Sequence, residues 1–363
     1  MRKKLIGILF CMLMILSTIV PVSGTVLTEK TSHPLIKGNT LYVGGSGPNN
    51  YTKIQDAIND ASVGDTVFVY DDSSPYNEMI LINKSITLQG ENKYTTIIDN
   101  QSYNLSYGIK IIADNVTVTG FTIQNTAGIG ISNYFAGHII DTTASHNTVK
   151  DNIIKNTGVG VNIFYRPSYK IFDKFGYNTI ANNHIENTTY WAIRIYAGSN
   201  NHIVGNTIVN NNVYNNDSSA IIIMGENNNI SYNKVTNNSG AGILLTEAFK
   251  TMVYRNTFEK NKVGLVTGGS FNKILQNNFI DNEKNAYFDQ AFFVTIVNAI
   301  FNFHFILPSI WNGNYWNEPR QLPYVVPGCL SLAHIHKYYV LGTDGFPFVR
   351  IDWHPAQEPY DIP

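Results

Sequence analysis

Asparagine recurs through the middle of this chain at a fixed distance from paired apolar residues, and that spacing limits the fold more than any other feature. The template apolar-x-x-Asn-x-apolar fits VTGFTI at 118–123, VKDNII at 149–154, IANNHI at 180–185 and IVGNTI at 203–208. It fits again as ISYNKV at 230–235, VYRNTF at 253–258 and ILQNNF at 274–279. Six of the seven carry Asn at the fourth place, and Phe121 takes it in the first. Successive copies start 31, 31, 23, 27, 23 and 21 residues apart. Periods of this length mark a solenoid of stacked units.

Each unit continues into a second apolar alternation, such as AIRIY at 192–196, AIIIM at 220–224 and GILLT at 242–246. A few short strands cannot close a core alone, but coils stacked at about 4.8 Å bury a continuous apolar cylinder. The expected fold is therefore all-β, a single-stranded parallel β-helix. Stacking also gives the amide a purpose. Each carboxamide can donate to the next and accept from the one before, as in amide ladders between stacked strands. Asn152, Asn183, Asn206, Asn233, Asn256 and Asn277 are the predicted ladder, placed at turns because Asn tolerates left-handed backbone angles. Phe121 is expected to begin an aromatic stack at the ladder's end.

Ahead of the repeats, TKIQDAINDASVGDTVFVY predicts a short capping helix. Thr52-x-x-Gln55 has the form of a capping box, and Ile54, Ala57, Ile58 and Ala61 share one helical face. TVFVY, MILI, SITLQG and YTTIID then read as the strands of the first coils.

The start, MRKKLIGILFCMLMILSTIVPVSG, has the basic, apolar and small-residue regions of a secretory signal. The expected organisation is a signal peptide at 1–24, a linker at 25–40, the β-helix at 41–290, and a final coil with an aromatic, Pro-rich C-terminal cap at 291–363. Removing the signal leaves Cys329 as the one cysteine, so no internal disulfide is expected. Only 14% of residues are charged and the formal charge is −1, which argues against a nucleic-acid partner. The apolar segment at 291–310 is long enough to span a membrane. Asn298, Asn302, His304 and Pro308 make a lipid-facing helix costly there, so closing the cylinder is favoured over membrane contact.

With GDTVFVY, PYNEMILINKSITLQGENKYTTIID and the Asn repeats, residues 41–290 resemble the pectin-lyase-like superfamily, specifically its NosD-type repeat proteins. WNGNYW at 311–316 and DWHPAQEPYDIP at 352–363 are similar to the C-terminal tails of archaeal members. The resemblance implies a right-handed coil. It leaves activity open, since members include polysaccharide lyases, hydrolases and copper-site assembly factors. The polygalacturonase-type Asp cluster and the calcium-binding Asp stack of pectate lyases are absent. Arg194-Ile195-Tyr196 matches the R-I-K element only in its first two residues.

Strand alternation predicts a candidate groove. With Ile193 and Ile195 inward, Arg194 and Tyr196 face out, as do Asn162 and Phe164 one coil earlier and Ile222, Met224, Leu244 and Thr246 in later coils. The insertion IFYRPSYKIFDKF at 163–175 adds Tyr165, Arg166, Tyr169 and Lys170 beside that face. Phe164, Tyr165, Arg166, Arg194 and Tyr196 are the expected ligand-binding residues. Rings stack on sugar faces, while arginine meets hydroxyls or carboxylates. Ile222, Met224 and Leu244 on the same face point instead to a covered wall.

For glycoside hydrolysis, Glu226 and Glu247 follow equivalent strands and form the candidate carboxylate pair. Lyase-style proton abstraction would fall to Arg194 or Lys250. His334 and His336, alternate residues of an extended strand, are the candidate copper ligands, with His354 or Cys329 as a third. Glycosylation sequons occur at Asn50, Asn83, Asn100, Asn104, Asn115, Asn187, Asn216, Asn229 and Asn237. The expected role is an exported, cell-surface or extracellular protein, non-catalytic and without a cofactor, binding polysaccharide or another envelope component. The alternatives are a polysaccharide lyase or glycoside hydrolase, and then a copper-linked accessory protein.

Overall fold

The computed structural model describes residues 38–99, 107–125, 129–132, 134–135, 138–139, 144–164, 176–211, 219–291, 309–331 and 345–362. The expected signal peptide, most of the linker and residues 292–308 lie outside them.

After the first turns, each coil runs through one strand of each of three sheets, which hold 11, 9 and 11 strands among the described residues. In one coil the chain passes from Thr148–Lys150 in the first sheet to Ile153–Lys155 in the second and Val159–Phe164 in the third. The next coil repeats this as Thr179–Ala181, His184–Glu186 and Trp191–Tyr196, all in parallel register. Middle residues point inward. Val149, Ile180, Ile203 and Ile230 form one apolar column, and Ile154, Ile185, Ile208 and Val235 form a second. All eight are fully buried. Burying one such side chain contributes about 2 kcal/mol, so the stacked columns supply the hydrophobic drive.

The amide ladder runs through all six predicted residues. Asn152 donates to Asn183 at 3.2 Å, and the chain continues through Asn206, Asn233, Asn256 and Asn277 at 2.9–3.0 Å per step. Each is at most 1% exposed. The left-handed angle falls one residue earlier than expected. Asp151, Asn182, Tyr232, Arg255 and Gln276 have φ of 51–58°, and Gly120, Gly205 and Gly313 fill the same place. That residue bends the corner, so the following Asn points into the cylinder.

Two further ladders were not anticipated from the sequence. Asn178, Asn201 and Asn228 bond in series at the turn into the first sheet, with Asn147 joined through its backbone N–H. Thr188, Asn211, Asn238, Asn261 and Asn282 do so between the second and third sheets. Buried corner groups need partners, and one residue type supplies both donor and acceptor.

Phe121 occupies the ladder position, where its N–H donates to Asn152. The aromatic stack lies at the opposite end: Phe258, Phe279, Trp316 and Tyr324 stack with centroids 5.1, 4.5 and 3.9 Å apart. WNGNYW does not fold back as a cap. It is another copy of the template, with Ile310–Asn312 and Tyr315–Trp316 as strands and Asn314 accepting from Asn277 at 3.0 Å. Tyr324–Ser331 continues the third sheet, and Gly345–Asp352 returns antiparallel to it.

A helix spans Ile54–Asp60, and Ile54, Ala57 and Ile58 are buried in the core. The expected capping box is not formed. Lys53 is the N-cap and makes no side-chain cap bond. Glu78 accepts instead from the N–H groups of Ile54 and Gln55 at 2.9 and 3.0 Å. Gln55 exchanges two hydrogen bonds with the backbone of Leu81, taking a partner's place at the edge of Ile80–Ile82. At the other end, Lys84 donates to the carbonyls of Ile58, Asn59 and Ala61.

Candidate functional site

The outer face of the third sheet brings together a column set by register: Lys110, Gly130, Asn162, Arg194, Ile222, Leu244 and Val266. Beside it Phe164 stands opposite Tyr196. The expected alternation holds, because Ile193 and Ile195 are fully buried and Arg194 and Tyr196 are partly exposed.

Arg194 is the centre of the face. Its guanidinium carbon lies 5.1 Å from the Phe164 ring, 5.0 Å from Trp191 and 5.3 Å from Tyr196. Phe164 and Tyr196 are stacked at 5.0 Å with 23° between planes. Cation–π contacts of this kind hold the guanidinium plane against a wall of rings. Trp191 escaped sequence reasoning, although its place three residues before Arg194, at the head of the same strand, was a usable signal.

One rung away, Asn162 donates to the Tyr107 hydroxyl at 3.4 Å. Among the described residues its carbonyl oxygen is buried without a hydrogen-bond partner, and so is the indole N–H of Trp191. One unmet acceptor and one unmet donor thus lie beside the arginine. Lys110 stands over Tyr107 at 5.9 Å, and burial lowers its pKa. Towards the C-terminal end the face turns apolar, and Ile222 is only 5% exposed despite pointing outward. Tyr165 and Arg166 lie outside the described residues.

The carboxylates are not set opposite one another. A β-bulge follows Ile223, so Gly225 pairs with Ala248 and Glu226 with Phe249. Glu247 sits in the bulge with φ of 49°. The extra residue carries it out of step with Glu226, and the geometry expected of a retaining glycosidase does not follow from the register. Lys250, the other lyase-style candidate, is a residue with φ of 51° between the strands Ala241–Phe249 and Met252–Tyr254.

Residues 137–321, just over half of the 363, match the family described as Periplasmic copper-binding protein (NosD). The chain belongs to the NosD family. A cell surface glycoprotein of Methanothermus fervidus is 30% identical over 207 residues, covering 44% of this chain. The NosD-family chain spans about a third of the length of that relative, 33%. Among solved structures, XylC in complex with xylose superposes with a TM-score of 0.51 at 14% identity, covering 70% of this chain and 68% of that one. Pectate lyase Pel9A aligns more weakly, with a TM-score of 0.42 at 14% identity over 70% of this chain and 76% of that one. The fold is a right-handed parallel β-helix.

The family's description implies copper, a metal that favours imidazole and thiolate donors. Among the described residues no three His, Cys, Asp or Glu side chains converge to hold an ion. His184 pairs with Glu186 at 3.2 Å, and His354 with the Asn312 carbonyl at 3.0 Å. These residues do not fit a copper centre. His334 and His336 lie outside the described residues.

Proposed function

We propose that this NosD-family chain is an exported, surface-associated β-helix protein that binds a glycan at the Arg194 face without turning it over. One observation carries this reading: the three rings around Arg194 stand next to an unmet acceptor on Asn162 and an unmet donor on Trp191. A sugar ring offers an apolar face for stacking and hydroxyls that both donate and accept. Each buried group left without a partner costs about 1–3 kcal/mol, and a sugar hydroxyl would recover part of that cost once the Asn162 or Trp191 side chain turns outward to meet it. The cell-surface description of the Methanothermus relative supports the location. The missing alignment of Glu226 with Glu247 supports the lack of turnover.

The test is titration calorimetry against a panel of neutral and acidic oligosaccharides, with product analysis on the same samples. Arg194→Ala, Tyr196→Ala and Trp191→Phe should each weaken binding by about tenfold or more, since 1.4 kcal/mol is a factor of ten. Unchanged affinity in all three, with the chain still folded, would remove the site. Released fragments would replace binding with catalysis.

A further inference from the structure

Corner residues between the second and third sheets form a column of their own. Asn156, Asn187, Asn210, Asn237, Lys260 and Asp281 hold φ of 51–55° in successive coils. Asn187 and Asn237 each begin an Asn-x-Ser/Thr sequence. In both, the middle residue is locked inside: Thr188 donates to Asn211 at 2.8 Å, and Asn238 to Asn261 at 2.8 Å. The chain therefore runs out, in and out, and presents the amide and the hydroxyl residue together at the surface.

Among the described residues the other sequons do not share this arrangement. Among those whose residues are described, only Asn187 with Thr189 and Asn237 with Ser239 have both ends exposed. Asn83 and Asn115 are exposed, but Ser85 and Thr117 are half-buried. Asn50 is only half-exposed, with its amide turned to the Gly44 carbonyl at 2.6 Å. Asn229 has its carbonyl oxygen buried, and Ser231 is 7% exposed. Asn187 and Asn237 also open on one groove of about 710 Å³, lined by Asn210, Ser239, Lys260 and Lys262 as well. That space accommodates the first sugars of an attached chain, with polar side chains at hand for their hydroxyls.

We propose that Asn187 and Asn237 are N-glycosylation sites of this chain. The reaction is a transfer from a polyisoprenyl-phosphate-linked oligosaccharide. The side-chain amide nitrogen forms a bond to the anomeric carbon, the bond from that carbon to the phosphate oxygen breaks, and the amide gives up one proton as the phosphorylated lipid leaves. No electrons are exchanged. The substituted amide keeps one N–H and so remains a donor; in the free chain Asn237 donates to Asn210 at 2.5 Å. This inference requires export and is independent of the Arg194 face.

The test is glycopeptide mapping of the full chain, exported by cells with a general asparagine-glycosylation pathway beside a reporter sequon known to be occupied. Asn187 and Asn237 should be occupied in most molecules, and Asn50 and Asn229 bare. Thr189→Ala and Ser239→Ala should each abolish occupancy at its own acceptor while the chain still folds cooperatively, and Thr189→Ser should retain it. Bare Asn187 and Asn237 beside an occupied reporter overturn the proposal, as does equal occupancy at Asn229. One bare acceptor overturns the assignment at that residue.

Discussion

The side-chain amide of Asn314 donates to the carboxylate of Asp352 at 3.0 Å, and this contact ends the ladder. Every rung from Asn152 onward donates towards the C-terminal end, so the last amide needs an acceptor that is not another Asn. Asp352, fully buried, also accepts from the backbone N–H groups of Gly313, Asn314 and His354 and from the indole of Trp316. Charge-assisted bonds are roughly twice as strong as neutral ones, which suits a carboxylate to this terminus.

Replacing that carboxylate exposes the dependence. Asp352→Ala leaves buried donors on Gly313, Asn314 and Trp316, at a cost of about 3 kcal/mol or more. Asp352→Asn retains one carbonyl oxygen and should lose less. Urea unfolding gives the difference. Amide exchange should accelerate first at 310–316, and uniform acceleration along the helix would contradict a terminal role.

Within the ladder, Asn233 accepts from both nitrogens of Asn206 at 2.9 and 3.0 Å and donates to Asn256 at 2.9 Å. Asn233→Ala breaks these bonds inside a dry corner and should lower stability by about 3 kcal/mol. The exposed neighbour Lys234 serves as a control, with Lys234→Ala changing stability by about 0.5 kcal/mol or less. Equal midpoints for the two variants would remove the ladder from the stability account.

The first helix offers a contrast between local and distant capping. Because Glu78, rather than Thr52, satisfies the N–H groups of Ile54 and Gln55, Glu78→Ala should destabilise the helix by about 1 kcal/mol. Thr52→Ala should be near neutral. Proteolysis or amide exchange at 54–60 separates the two, and a larger effect from Thr52→Ala would restore the local cap.

Alkaline pH should weaken the first coils through Tyr76. Burial first, and the nearby Asp72 carboxylate second, push its phenol up to about 12 from 10.0. Its hydroxyl donates to the Tyr70 carbonyl at 2.7 Å. An unfolded chain loses that proton near its ordinary pKa, while the folded one holds it. The stabilisation is therefore complete below about pH 10 and is lost as pH rises to about 12. Tyr76→Phe should show a shallower fall in melting temperature across that window, and parallel curves would contradict the assignment.

Much of the architecture was written locally. The starts of the repeats, 31, 23, 27, 23 and 21 residues apart, reappear as the sequence separations of the bonds from Asn152 to Asn277. A ladder needs only one residue type at one phase of each coil, and a repeated chain displays that phase directly. The facing of Arg194 and Tyr196 followed from alternation for the same reason.

Long-range contacts decided the rest. WNGNYW fits the same template, yet its Asn lies 37 residues beyond Asn277, and no local signal says that a chain returns to the stack after such a gap. The bulge separating Glu226 from Glu247 is one extra residue, visible only once two strands are paired. Glu78 reaches the helix, and Phe164 reaches Arg194, through positions that the coil brings together in space. Sequence periodicity fixes which face a side chain takes, because backbone geometry alternates residue by residue. What that side chain meets depends on register and insertion length, which are settled only when the coils stack.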